Sequence, residues 1–391
     1  MPIYLDHAAT TPTDARVVEA MLPYLTERFG NPSSIHASGR RARQALDEAR
    51  ETAARILGAE PREIIFTSGG SEADNLAIKG AAWAASARGR HIVTSAVEHK
   101  AVLHTCQVLE RQGFEVTYVG VDRLGRVDPE AVRAAITERT SLVSMVYGQN
   151  EVGTLQPIAD IGGICRERGV LFHTDAVQAA VSQPLDVDRL GVDLLSLSGH
   201  KLYGPKGIGA LFVRRGTSLL PQLQGGAQER QRRAGTENVA GAVAFAVALG
   251  LVHDDMAQRD RQNGREAELR DGLVDRLLSL PGVALSGDPD RRLPNNASFL
   301  IDGVDGADLV AALDLAGVET STGSACASGS TDPSHVLLAM GVAPDRARGA
   351  LRLTIGRDTT AGEVEVAGEI IVDCLARLRG DRTPLPATAS A

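Results

Sequence analysis

Only four cysteines occur in the 391 residues, Cys106, Cys165, Cys326 and Cys374, and they are scattered. No two form a CxxC pair and no histidine spacing suits zinc, so a disulfide framework and a zinc site are not expected. Free thiols in a reducing compartment are. Long apolar runs are missing as well. The longest, Val239 to Val252, falls short of the roughly 18 residues that a membrane span needs; rich in small residues, it reads as a buried helix. The opening Met-Pro-Ile-Tyr-Leu-Asp-His lacks the basic and apolar blocks of a signal peptide, which makes the cytoplasm the expected location. Basic charge is in deficit, 41 Lys and Arg against 49 Asp and Glu, giving a net charge of -8. That argues against nucleic acid or an anionic membrane as the main partner. Nucleotide fingerprints also fail. Gly199 and Gly204 have the spacing of the outer P-loop glycines, but Pro205 follows where Lys-Ser/Thr is required. Gly207-Ile-Gly209 begins a dinucleotide pattern, yet Phe212 takes the place of the last glycine and the segment leads into a strand.

What is present is an ordinary globular composition, 43% hydrophobic and 23% charged, in a chain long enough for two domains. From about residue 60 to 215, β-rich runs alternate with helical stretches. The strands expected are Glu63 to Thr67, His91 to Ser95, Glu115 to Val119, Leu142 to Val146, Val170 to Thr174, Leu194 to Leu197 and Gly209 to Val213. Such alternation predicts an α/β fold, a mostly parallel seven-stranded sheet covered on both faces. The charged segment His253 to Arg276 predicts a long linking helix, with a domain boundary near Met256. Beyond it, strand and helix signals mix at Ala297 to Ile301, Ala307 to Leu315, Val336 to Met340 and Leu351 to Ile355, as in a smaller α+β domain. The division expected is a large domain over 15–256 and a small one formed by 1–14 and 257–391, with a cysteine loop at about 320–335. From Arg379 onward, with Pro384 and Pro386, the tail reads as disordered.

The chemistry gathers in short stretches. Ser198-Gly-His-Lys-Leu-Tyr-Gly-Pro-Lys-Gly follows an apolar run, placing Ser198, His200 and Lys201 at the carboxyl end of a strand, where open α/β sheets bind ligands. A lysine there can form a Schiff base, although a solvated loop lysine fits the segment taken alone. Val170-Leu-Phe runs into His173-Thr-Asp-Ala-Val-Gln, bringing Asp175 and Gln178 to the same edge. Asp175 could cap a helix or hold a protonated ring nitrogen; its pairing with Lys201 favours the second. Thr67-Ser-Gly-Gly-Ser-Glu opens a helix after a strand, so Gly70 and Ser71 offer a phosphate cradle, with plain capping by Ser71 the alternative. His99, after another strand, could lie against a planar cofactor and move protons, or be structural. Cys326 sits in a loop of small residues that would leave its thiol exposed, inert or able to travel as a nucleophile. Arg352 interrupts an apolar strand and is either a carboxylate clamp or an edge-strand charge.

Taken together, Tyr4-Leu-Asp-His-Ala-Ala-Thr-Thr, Phe29-Gly-Asn-Pro-Ser-Ser, Thr67 to Asn75, Glu98-His-Lys-Ala, Asn150-Glu-Val-Gly-Thr, His173 to Gln178, Ser198 to Gly207, Arg233-Ala-Gly-Thr-Glu-Asn and the Cys326 loop resemble the NifS/IscS-like cysteine desulfurases of aminotransferase class V. The resemblance covers nearly the whole chain and implies a fold type I transferase that uses pyridoxal 5'-phosphate and no metal. It implies Lys201 as the Schiff-base lysine, Asp175 on the pyridine nitrogen, Asn150 and Gln178 at the ring or its phenolic oxygen, and His99 stacking and assisting proton transfer. Ser71, Ser198 and His200 would meet the phosphate, joined by Thr236 from the neighbouring subunit of a homodimer. Asn31 and Arg352 would meet the substrate carboxylate. The implied reaction turns L-cysteine into L-alanine, leaves a persulfide on Cys326 and passes sulfur to an acceptor such as an iron-sulfur scaffold. The sequence departs from the common pattern at His7, Gly70-Ser71 and Gln149. A selenocysteine lyase or other class V aminotransferase would keep the cofactor residues and make Cys326 dispensable; a non-catalytic sulfur carrier would bind no cofactor.

Overall fold

The computed structural model describes residues 2–323 and 333–380. Cys326 and most of the tail, including Pro384 and Pro386, lie outside the described residues. Strands in chain order are β1 (Ile3–Tyr4), β2 (Ile64–Thr67), β3 (His91–Ser95), β4 (Glu115–Val119), β5 (Thr140–Val146), β6 (Leu171–Asp175), β7 (Leu194–Ser198), β8 (Gly209–Val213), β9 (Val283–Leu285), β10 (Asn296–Ile301), β11 (Val318–Glu319) and β12 (Ala350–Thr354).

The central sheet has seven strands in the order β2-β8-β7-β6-β5-β3-β4. It is parallel throughout except for β8, which runs antiparallel to both β2 and β7. Successive residues feed opposite faces. Val93, Val143, Leu195 and Phe212 enter one core, while Ile92, Leu142, Leu194 and Leu211 enter the other. That is why these strands read as nearly unbroken apolar runs: neither face is left to water. One face is covered by helices Gly70–Ala84 and Lys100–Arg111, the other by Ala37–Leu57, Ile158–Arg168 and Val239–His253. The last of these is apolar all round because it is enclosed between the sheet and its helical neighbours.

A second sheet, β12-β10-β9, is antiparallel and carries its own core, in which Leu273, Phe299, Leu309, Leu351 and Ile371 are buried with Leu5. Leu5 reaches that core because β1 pairs in parallel with β11 and Asp6 bridges to Thr354. Helices Met256–Leu278 and Ala361–Leu378 pack against this sheet and each other. The long charged helix begins three residues later than its composition suggests: the apolar helix runs on to His253, and Asp255 caps the new helix by accepting the Gln258 N–H.

Candidate active site

Parallel strands present their carboxyl ends together, and a cavity of about 550 Å³ opens at that edge. Strand β7 ends at Ser198 and passes into a single tight turn, Gly199–Lys201, which swings Lys201 over the edge. Its Nζ donates to the carbonyl oxygens of Ala8 and Ala9, the latter at 2.6 Å. The N-terminal segment therefore forms a wall of the site. Gln178 grips the same segment, donating from Nε2 to Ala8 O at 2.7 Å.

Strand β6 extends one residue further than its hydrophobic pattern indicates, so Asp175 is the last strand residue rather than a helix cap. The hydrogen-bond ladder carries it: Asp175 pairs with Val146 and Ser196 on either side. Its Oδ1 accepts the Val177 N–H at 2.9 Å. Burial raises its carboxyl above the ordinary range, opposed by His99, the Val177 N–H and Lys201.

Gly69 is the cap residue of helix Gly70–Ala84 and supplies no side-chain acceptor, so Ser71 lies in the first turn rather than capping it. The helix start is pressed against the sheet: a Cβ at Gly209 would stand 2.6 Å from Leu197 O and 2.7 Å from the Gly69 backbone. First-turn N–H groups facing a cavity without a side-chain partner are the donor set an anion takes. Gly70, Ser71, Ser198 and His200 all line the cavity here. Thr10 Oγ1 lies 3.1 Å from His200 Nδ1, and burial, with the Lys201 and Lys206 cations, lowers this imidazole to about 4.

His99 caps helix Lys100–Arg111, its Nδ1 accepting the Ala101 N–H at 3.1 Å. Asn150 and Arg352 complete the lining. Arg352 is not an exposed edge charge. It is 2% exposed, pairs with Asp6 Oδ1 at 2.7 Å and donates to Asn150 O at 2.9 Å and Gly323 O at 3.2 Å. Its Nε is buried and has no hydrogen-bond partner among the described residues. Asn31 and Thr236 are exposed and do not line this cavity; Asn31 Oδ1 accepts the Ser33 N–H in its own turn.

Three carboxyl groups in or beside the site lie within the quoted motifs but carry no role in them: Asp6, Asp74 and Glu98. Asp6 holds Arg352 in place. Glu98 is fully buried, accepts from the Ser95 hydroxyl at 2.5 Å and the Val146 N–H at 3.0 Å, and is pushed up to about 8 by burial. Asp74 lines the cavity at 1% exposure. A signal for Asp74 existed: it interrupts the apolar stripe Ala73, Leu76, Ala77 and has no Lys or Arg three or four residues away.

The family profile described as aminotransferase class-V matches residues 3–366. A protein named cysteine desulfurase IscS from Methanosarcina thermophila is 50% identical over 377 residues, 96% of this chain and 93% of its own length. A solved NifS-like protein superposes with a TM-score of 0.90 at 37% identity, covering 96% of this chain and 100% of that one. A structure described as SspA in complex with cysteine gives 0.80 at 37% identity over 91% of this chain and 99% of its own.

Proposed function

The chain belongs to the aminotransferase class V family, and from that premise we propose that it is a cysteine desulfurase that converts L-cysteine to L-alanine and stores the sulfur on Cys326. The observation that carries the reading is the meeting of Lys201, Asp175 and an uncapped helix N-terminus in one cavity. These residues fit pyridoxal 5'-phosphate: a buried carboxylate for a protonated ring nitrogen, free N–H donors for a phosphate, and an amine for the aldehyde. When bound, that cofactor supplies an electron sink for a carbanion at the substrate α-carbon.

Asp175 would hold the ring nitrogen, with Asn150 and Gln178 along the ring edge and His99 against its face. The phosphate would take Gly70, Ser71, Ser198 and His200. Lys201 takes the α-proton and returns it, its ammonium held meanwhile by the Ala8 and Ala9 carbonyls. Arg352 lines the cavity and would meet a substrate carboxylate there, with Asp6 holding its guanidinium in place. The Cys326 thiolate attacks the substrate sulfur, the substrate C–S bond breaks, and the proton balance gives alanine and a Cys326 persulfide with no outside oxidant.

The catalytic unit is a homodimer in this reading. Thr236 is exposed and away from its own cavity, as a residue serving a neighbouring site would be, and Phe29 and Ile35 leave 75% and 91% of their surface uncovered in the single chain. The division into 15–256 and 1–14 with 257–391 is supported by the core of the second sheet, which gathers Leu5 with Leu273, Phe299 and Leu351. No single helix among the described residues is long and apolar enough to span a membrane, and we place the enzyme in the cytoplasm. The terminal sulfur would pass to a protein that assembles iron-sulfur clusters or another sulfur-containing cofactor.

Alanine release from L-cysteine with a thiol reductant, comparing wild type with Cys326→Ala at equal cofactor occupancy, tests the reading. Catalytic alanine that the variant loses is the expected result. Equal alanine from both would move the assignment to a lyase, and none from either would overturn it.

A further inference from the structure

One carboxyl oxygen each of Asp74 and Asp175 and a ring nitrogen of His99 lie within 4.8 Å of one another. Two carboxylates this close and this buried, at 1% and 5% exposure, cannot both keep a full charge cheaply. Their surroundings decide which one yields. Asp175 accepts a backbone N–H and is drawn toward its charged form by His99 and Lys201. Asp74 has no comparable support. His173 faces it, its Nε2 3.6 Å from Asp74 Oδ1.

His173 cannot supply a cation. It is fully buried, its two ring nitrogens lie 2.9 Å from the hydroxyls of Ser144 and Ser196, and burial lowers it to about 3. Glu98, buried nearby and pushed up to about 8, is itself a neutral acid at neutral pH and supplies no cation either. The Ser196 hydroxyl is the single favourable neighbour, and Asp74 Oδ1 still has no hydrogen-bond partner among the described residues. The helix dipole favours an anion at the first turn, but Asp74 sits beyond Gly70 and Ser71, where that field has faded. An unpartnered, solvent-free carboxylate oxygen is costly; a carboxylic acid there is not.

We propose that Asp74 carries the proton of a buried Asp74–Asp175 pair and acts as a positioning residue, a neutral acid that leaves Asp175 as the single negative charge offered to the cofactor's ring nitrogen. The inference rests on Asp175 being the ring-nitrogen partner. It assigns Asp74 a role distinct from that of Asp175: the proton removes like-charge repulsion and gives Asp74 a donor to place against its neighbour.

Infrared spectroscopy of the full-length protein at neutral pH, with isotope-labelled aspartate, reads this directly, both without cofactor and after loading with pyridoxal 5'-phosphate. The expected result is a protonated carboxylic-acid carbonyl band that shifts with the aspartate label and disappears in Asp74→Asn. A separate glutamate band that disappears in Glu98→Gln serves as the control. In cofactor titrations followed by visible absorbance, Asp74→Asn, neutral like the acid it replaces, keeps the wild-type pH profile. Asp74→Ala weakens pyridoxal 5'-phosphate binding about tenfold, the loss of one buried donor. No aspartic-acid band in wild type, or a band that survives Asp74→Asn, overturns the proposal. So does an Asp74→Asn pH profile displaced as far as that of Asp175→Asn. A wild type that shows the acid band yet binds no pyridoxal 5'-phosphate would sink the cofactor reading instead, so the two failures are distinguishable.

Discussion

Two of the buried charge clusters among the described residues are built on opposite principles. Arg50 and Glu229 face each other with side chains 4% and 2% exposed, joined by two hydrogen bonds of 2.8 and 2.9 Å. Opposite charges are matched there, and the pair anchors three consecutive non-glycine residues with positive φ, Glu229, Arg230 and Gln231, at 45°, 57° and 65°. At the sheet edge, Asp74 and Asp175 are like charges, one with an unpartnered oxygen. Arg50 Nε is also buried without a hydrogen-bond partner among the described residues, so the clusters differ in the sign of the charges brought together rather than in complete satisfaction: a matched pair neutralises itself, and two like charges need a proton or a ligand.

The largest effect should come from removing the amine beside the like-charge cluster. Lys201→Ala is expected to lower alanine formation about a thousandfold or more while the far-ultraviolet spectrum is unchanged. It should also abolish a yellow colour that borohydride bleaches in wild type. Breaking the matched cluster should do the reverse. Arg50→Ala leaves Glu229 buried without its cation and should cost about 3–5 kcal/mol in denaturant unfolding, with the cofactor's absorbance maximum unmoved in the folded fraction. A shifted maximum would mean that the two clusters are not independent.

Between these lies Asp6, whose carboxylate is matched but serves the site. Asp6→Asn should raise KM for L-cysteine about tenfold, with a smaller change in kcat, since it loosens a charge-assisted bond to Arg352 rather than removing a reacting group. The smallest effect is a slope. Glu98 titrates at about 8 in the folded chain against an ordinary 4.5, so across that interval the folded state holds a proton that the unfolded state has released. Stability therefore falls as pH rises through the window, and Glu98→Gln should flatten the loss when unfolding midpoints are compared at about pH 5 and about pH 8.5.

The strands were legible because burial on both faces leaves an apolar run that stops where the core stops. β3, β4 and β8 have the bounds their composition predicts. β6 was displaced by one residue because Asp175 looks like a terminator in one dimension, whereas the ladder to Val146 and Ser196 makes it a strand residue. Lys201, Asp175, His99 and Ser198 could be placed at one edge from strand ends alone. Asp6 could not, since it reaches Arg352 across 346 residues of sequence.

The sequence by itself determined the strand-turn punctuation, the motif set of the class V family and the chemical types at the sheet edge, because these are local: a run of β-branched residues, a glycine, a lysine after a strand. Only the tertiary structure decided which charges are matched. Whether a carboxyl group is an ion-pair partner like Glu229, an anchor like Asp6 or an unpartnered acid like Asp74 depends on burial and on neighbours brought in from distant segments, and local sequence encodes neither.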